Sequence, residues 1–241
     1  AWCKEGQVHT GFFTHAQCAA HEMGSWHPES PERLAAVHDH LIAVGLLPHL
    51  LPFDAPQADL AAIARAHDRT YVERLRAKAP KQGYAPVDPD TSMNSRSWDA
   101  ALHAAGAVVA ATDLVVRGEL NHAFCAVRPP GHHACRAAAM GFCFFNNVAV
   151  GALHALHSHG LKRVAVVDFD VHHGNGTEDI LAGNSRVLMT SFFQHPFYPY
   201  SGPDFAADNM VNVPVPAGTR GDVVRELVEA YRGAASQEQR E

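Results

Sequence analysis

Four side chains that can bind a metal or move a proton lie close together in the last third of the chain. Asp168, Asp170, His172 and His173 directly follow the apolar run 164–167, and glycines close the segment. The run is β-branched and uninterrupted, which predicts a buried parallel strand. Residues two apart on an extended segment point the same way, so Asp170 and His172 should form half of a divalent-metal site. Packing alone does not require such a cluster at a strand end, so the segment favours an enzyme.

A second strand end carries paired histidines. Residues 123–127 predict a short strand that runs through Arg-Pro-Pro-Gly into His132 and His133. In open α/β sheets ligands bind outside the carboxyl ends of strands, so both motifs should lie on one rim. A histidine that does chemistry needs a partner to fix its tautomer, and Asp168 and Asn175 are the candidates. Taken alone, the pair could equally be two turn histidines, but a neighbouring acidic cluster favours function.

Two aromatic segments could form walls around a metal. Phe142 lies in Gly-Phe-Cys-Phe-Phe-Asn-Asn, and Tyr198 lies in His-Pro-Phe-Tyr-Pro just past a predicted strand. Core packing is the simpler interpretation of the first segment. Facing aromatic walls would instead suit a slim aliphatic chain with a polar tip.

The alternation of elements predicts an α/β fold. Helical spacing over 98–112 and 148–156 alternates with predicted strands at 164–167 and 187–193, whereas residues 81–96 predict a polar loop. We expect residues 1–241 to form a single domain with three layers, a mostly parallel sheet flanked by helices on both faces.

Composition excludes several classes of protein. The 241 residues are 47% hydrophobic, enough for one substantial core, and contain no uninterrupted apolar run of membrane-spanning length. A net charge of −6 disfavours direct nucleic-acid binding, and five cysteines without a Cys-x-x-Cys pair are typical of a reduced, cytoplasmic protein. We expect no membrane partner, and the sequence does not indicate the oligomeric state.

Most of the eighteen histidines are expected to be structural or solvated. Seven of them lie in helix-like stretches and lack metal-ligand neighbours in the sequence. They are His38, His40, His49, His103, His154, His157 and His159.

The longer motifs resemble the zinc-dependent histone deacetylases of the arginase–deacetylase fold. The segments Arg-Pro-Pro-Gly-His-His-Ala, Gly-Phe-Cys-Phe-Phe-Asn-Asn and Val-Asp-Phe-Asp-Val-His-His-Gly-Asn-Gly occur in family order. Two more segments, His-Pro-Glu-Ser-Pro-Glu-Arg-Leu and His-Pro-Phe-Tyr-Pro, resemble class II and bacterial members. Several long motifs in order are far more specific than one short pattern.

This resemblance implies the catalytic roles. His133, with Asn175 behind it, would be the general base that takes a proton from the attacking water. His132, held by Asp168, would support the developing charge.

The resemblance also implies the ions. Asp170 and His172 would be two ligands of Zn²⁺, which would polarise the amide carbonyl. A monovalent-cation site, with K⁺ as the candidate ion, would use carbonyls of Asp168, Asp170, His172, Ser191 and Phe192.

Substrate contacts follow from the same resemblance. Phe142, Gly141 and Tyr198 would line a tunnel for the acyl-lysine, and Asp90 would hydrogen-bond the substrate backbone at the rim. Arg33 would lie by the internal channel where acetate leaves.

The chain departs from the family pattern after 215. The second zinc aspartate of the family lies in a Gly-Phe-Asp loop, and its transition-state tyrosine lies in a Gly-Gly-Tyr segment. Neither segment occurs, and Asp204, Asp208, Asp222 and Tyr231 stand in other contexts. We therefore expect a C-terminally shortened deacetylase domain with an incomplete sheet that leaves an edge and apolar surface uncovered.

Several functions stay open from the sequence. The leading hypothesis is a zinc-dependent amidohydrolase that removes acetyl groups from lysine in proteins or peptides. A small acylamine such as an acetylpolyamine is the alternative substrate. A catalytically inactive acyl-binding or metal-binding module is a further alternative, and a two-metal arginase-like hydrolase lacks the extra Asp and His ligands it would need.

Overall fold

The computed structural model describes residues 8–204 and 206–238, with side chains up to residue 230. The strands are β1 Thr10–Thr14, β2 Leu50–Asp54, β3 Ala85–Asp88, β4 Thr91–Met93, β5 His122–Cys125, β6 Val164–Asp168, β7 Val187–Gln194 and β8 Met210–Val215. The α-helices are α1 Ala16–Ala20, α2 Glu32–Ala43, α3 Leu60–Ala66, α4 Arg69–Lys78, α5 Ser97–Val116, α6 Asn147–Ser158, α7 Asn175–Leu181 and α8 Gly221–Glu238, and Leu47–His49 is a 3₁₀ turn.

The strands form two parallel sheets and one hairpin. The sheets have the orders β2-β1-β5 and β6-β7-β8, and the hairpin pairs β3 with β4 in antiparallel fashion. The predicted α/β class with parallel strands between helices is confirmed. The predicted loop at 81–96 was wrong, because residues 85–93 form the hairpin that carries Asp90.

The parallel strands are divided where a continuous sheet was expected. Among the described residues no strand pairs with the free edges of β5 and β6. Val127 and Val166 line a cavity of about 640 Å³ between these two strands. Val167 and Phe169 also line this cavity. They are 61% and 85% exposed, and they form the uncovered apolar surface expected of an incomplete sheet.

Helices α5 and α6 form the centre of the larger hydrophobic core. Alanines along α5 let neighbouring segments approach closely, and a Cβ at Gly106 would overlap the Pro56 carbonyl. By length and a mean hydropathy of 1.4, α5 could cross a membrane, yet half of that window is buried within the fold. A central helix of an α/β core meets the same criterion.

The carboxyl ends of β5 and β6 position the candidate site. Each strand leads into one of the two motifs, and α6 and α7 begin immediately behind them. Asn146 caps α6 by accepting a hydrogen bond from the Ala149 N–H at 3.0 Å. The start of α6 is thereby fixed beside the paired histidines.

Candidate active site

A buried ion pair anchors the segment that carries His132 and His133. Arg128 is fully buried, and its guanidinium donates to both carboxylate oxygens of Glu29 at 2.6 Å. It also donates to the carbonyls of Cys18 at 2.9 Å and His21 at 2.7 Å. Because the guanidinium donates to a carboxylate and to two backbone carbonyls, it fixes the chain where it leaves β5.

His132 and Asp168 form the first pair of the site. The His132 Nδ1 lies 2.9 Å from the Asp168 Oδ2. Burial lowers the pKa of His132, but the hydrogen bond and charge of Asp168 outweigh it, so this pKa lies above its ordinary value. Burial raises the pKa of Asp168, and the bond to His132 more than reverses this shift. The pair therefore favours an imidazolium beside a carboxylate.

His133 is held in the opposite protonation state. Its Nδ1 donates to the Asn175 Oδ1 at 2.7 Å, since an amide oxygen only accepts. Burial and the neighbouring His132 lower the pKa of His133 to about 4. At neutral pH the ring is uncharged, and its Nε2 keeps a free lone pair.

Gly141 permits a close approach to His133. Its φ is +56°, and a Cβ at this position would overlap the His133 ring. Both the backbone conformation and the lack of space therefore require glycine.

Asp170 and His172 form the second pair of the site. The Asp170 Oδ1 accepts the His172 backbone N–H at 2.8 Å and lies 3.0 Å from the His172 Nδ1. The Asp168 Oδ1 in turn accepts the Asp170 N–H at 3.1 Å. The His172 ring stacks on Phe197, with centroids 5.0 Å apart. Local backbone-to-carboxylate bonds thus aim an acid and an imidazole in the same direction.

These groups meet in one cavity of about 460 Å³. Phe142 and Tyr198 form its aromatic walls, and the Tyr198 ring meets His133 edge-on at 5.1 Å. Burial and the nearby Asp90 and Asp88 raise the pKa of Tyr198, so its phenol stays protonated. The predicted site residues that line the cavity are Arg33, Asp90, His132, His133, Gly141, Phe142, Asp170, His172 and Tyr198.

Other predicted site residues lie outside this cavity. Asn175 lies behind His133, and Asp168 faces the neighbouring cavity between the sheets. Ser191 is the register partner of Asp168 on β7, and its hydroxyl lies 3.1 Å from the buried His173. Phe192 follows on the same strand, so the backbone proposed for K⁺ lies along the ends of β6 and β7.

Sequence reasoning missed the supports beneath the site. Glu29 and Arg128 are 99 positions apart, and only the burial expected directly after a strand could have drawn attention to the arginine. Arg33, which the family resemblance had already assigned to the site, lies beside them and donates to the Val127 carbonyl at 2.6 Å. Asn147 donates to the Pro129 carbonyl at 3.2 Å and lines the cavity.

The donor set fits zinc in part. A carboxylate and an imidazole 3.0 Å apart on a cavity wall suit two neighbouring zinc ligands. Within the described ranges only one set of three His, Cys, Asp or Glu side chains brings its ligand atoms within 4.8 Å, and it lies elsewhere, at Asp113, His154 and His159. His154 and His159 have no such neighbour in the nearby sequence, and the fold supplies Asp113 to both of them from another helix.

Comparison with known proteins identifies the family. Residues 27–238 match the histone deacetylase domain. A probable deacetylase of Archaeoglobus fulgidus is 35% identical over 91% of this chain and 64% of its own length. Human polyamine deacetylase HDAC10 is 37% identical over 71% of this chain and 27% of its own length.

A solved structure agrees with these sequence matches. The crystal structure of the HDA15 HD domain superposes with a TM-score of 0.81 and 35% identity, covering 88% of this chain and 63% of that one. The chain therefore spans less than two thirds of the length of these relatives. On its motifs, its fold and these matches, the chain belongs to the histone deacetylase family.

Proposed function

We propose that this site hydrolyses the amide bond of an acylated amine, with acetyl-lysine in a protein or peptide as substrate. The main support is the state of His133, which is neutral, fixed on Asn175, and part of the same cavity as Asp170 and His172. A free imidazole beside an acid–imidazole pair is the arrangement that metal-assisted hydrolysis requires.

Asp170 and His172 would hold a zinc ion. When bound, zinc supplies a Lewis acid that polarises the amide carbonyl and lowers the pKa of water. No third protein ligand joins this pair in the described part of the chain, so we expect weaker metal binding than in a three-ligand site.

The two neighbouring histidines transfer the proton and stabilise the developing charge. His133 accepts a proton from the attacking water at its Nε2, while Asn175 keeps the ring oriented. The imidazolium formed in this way then returns the proton to the leaving amine. His132, whose pKa the hydrogen bond and charge of Asp168 raise, stabilises negative charge on the reacting amide.

The walls of the cavity suit the side chain of the acylated lysine. Phe142 and Tyr198 offer apolar faces to the methylenes of a lysine side chain. Phe142 is fixed because its backbone N–H donates to the Thr91 hydroxyl at 2.9 Å. Two rigid faces exclude water from the chain that they enclose.

An acetylated polyamine is the second candidate substrate. Asp90 lines the cavity, and burial together with Asp90 raises the pKa of Asp88, which reflects two acids in close proximity. Paired carboxylates at the rim would attract the second ammonium group of a polyamine. The human relative named polyamine deacetylase HDAC10 supports the same candidate substrate.

Acetate release in the presence of zinc tests the proposal. We expect the chain to release acetate from an acetyl-lysine peptide, and His133→Ala to reduce this rate at least a hundredfold. His157→Ala, at an exposed histidine, is the matched control and should retain the rate. Unchanged turnover in His133→Ala would refute the base role. Peptide binding without any turnover would favour the inactive acyl-binding module.

A competition between substrates separates the two candidates. If the rim binds polyamines, Asp88→Asn combined with Asp90→Asn should lower kcat/KM for N-acetylspermidine about tenfold more than for a neutral acetyl-lysine peptide. Equal losses for both substrates would remove the polyamine candidate.

A further inference from the structure

A second group of metal-binding side chains lies between the ends of α5 and α6. The Nε2 atoms of His154 and His159 each lie 2.6 Å from the same oxygen, Asp113 Oδ1. The two imidazole rings are nearly perpendicular, at 80°, so they approach the carboxylate from different directions. We propose that Asp113, His154 and His159 form a second zinc site, separate from the candidate active site.

Its position in the fold separates it from the candidate active site. Helix α6 begins at Asn147, which lines the catalytic cavity, and ends at Ser158. Twelve residues of α-helix rise about 18 Å, so His159 lies far from that cavity. The chain then enters the amino-terminal end of β6, whereas the candidate active site lies at the carboxyl ends of the strands.

The donor set is one that zinc uses. Two imidazole nitrogens and a carboxylate oxygen, completed by water, form a common three-ligand zinc site. In a tetrahedral zinc site neighbouring ligand atoms are ~3.3 Å apart, so each nitrogen must move away from the oxygen by several tenths of an ångström. His159 directly follows the last residue of α6 and precedes Gly160, whose φ is +64°, so the chain can supply this movement.

The local electrostatics also favour a cation. Asp113 lies in the last turn of α5, and both histidines lie at the end of α6. Two helix carboxyl ends therefore converge on the cluster, and the negative end of a helix dipole attracts positive charge. The Asp113, His154 and His159 side chains are 31%, 11% and 17% exposed, so an ion can enter from solvent.

The other nitrogen of His154 has two polar neighbours. The Ser158 hydroxyl lies 3.1 Å from the His154 Nδ1 and can accept a hydrogen bond from it, which would orient the ring for metal binding. The Arg65 Nη1 lies 3.4 Å from the same nitrogen, and its positive charge opposes a bound cation. Removing that arginine charge should therefore strengthen metal binding.

Zinc titration by calorimetry tests the site, independently of any enzymatic activity. In the chain carrying Asp170→Asn and His172→Ala, which removes the ligand pair of the candidate active site, we expect one equivalent of Zn²⁺ to remain bound. Adding Asp113→Asn or His159→Ala should weaken this binding more than tenfold. Arg65→Gln should strengthen it severalfold. His157→Ala, at an exposed histidine of the same helix end, is the matched control and should leave it unchanged.

Thermal unfolding supplies a second readout. A ligand that binds only the folded state raises the melting temperature, so Zn²⁺ should raise it in the background variant but not once His159→Ala is added. Absence of zinc binding in the background variant would refute the proposal. Binding of equal strength in Asp113→Asn, His159→Ala and His157→Ala would show an adventitious ion only and would also overturn it.

Discussion

His67 makes the stability of the candidate site dependent on pH. Its Nδ1 donates to the Cys135 carbonyl at 2.9 Å, and its Nε2 accepts the Asn146 N–H at 2.9 Å. The ring therefore joins the segment that follows the paired histidines to the start of α6. A proton on Nε2 would break the second bond, so the fold requires the neutral ring.

The expected magnitude follows from the pKa difference. Burial lowers the pKa of His67 to about 4, whereas in the unfolded chain it is about 6.5. As the pH falls below about 6.5 the unfolded chain takes up a proton that the folded chain does not, so the stability contribution is lost progressively down to about pH 4. Between pH 7.5 and pH 5 this loss amounts to about 2 kcal/mol.

Urea unfolding of the wild type and His67→Gln at pH 7.5 and pH 5 measures this effect. Glutamine keeps one donor and one acceptor but does not titrate, and every other ionisable group is common to both proteins. The stability advantage of the wild type should shrink by about 2 kcal/mol at the lower pH. His157→Gln, at an exposed histidine, should show no such change. An advantage of equal size at both pH values would refute the reasoning.

Three further predictions concern the surroundings of the site. Glu29→Gln leaves the buried guanidinium of Arg128 without its matched charge and should destabilise the chain by about 3–5 kcal/mol in urea unfolding; a loss below 1 kcal/mol would contradict the buried pair. Asp168→Asn removes the carboxylate that contributes most to raising the pKa of His132, so NMR titration should show that pKa falling, and an unchanged pKa would exclude this cause. Gly141→Ala combines a strained φ of +56° with overlap on the His133 ring and should lower both the melting temperature and turnover, and wild-type values for both would contradict the close packing.

The sequence predicted those parts of the fold that depend on local patterns. The β-branched run before Asp168 forms β6, and the alanine-rich periodic stretches form α5 and α6. Asp170 and His172 lie on the same side of the cavity because their spacing is local. The carboxyl ends of β5 and β6 lie on one rim, as an α/β fold predicts, although these two strands belong to separate sheets.

Long-range partners were outside the reach of such patterns. Asp113 is 41 and 46 positions from the histidines it contacts, so no spacing rule connects them. The partition of the strands into two sheets depends on which edges are paired, and strand propensity does not contain that information. The β3–β4 hairpin was missed because its prolines, at 86 and 89, read as loop.

Acetate release by Asp170→Asn and Asp113→Asn is the most direct test of where the chemistry occurs. Both variants remove one carboxylate from an Asp–His cluster, but only Asp170 lines the cavity with His133. With zinc present, Asp170→Asn should abolish acetate release from an acetyl-lysine peptide, and Asp113→Asn should retain it. Full activity in Asp170→Asn would contradict the assignment of the rim between β5 and β6 as the active site.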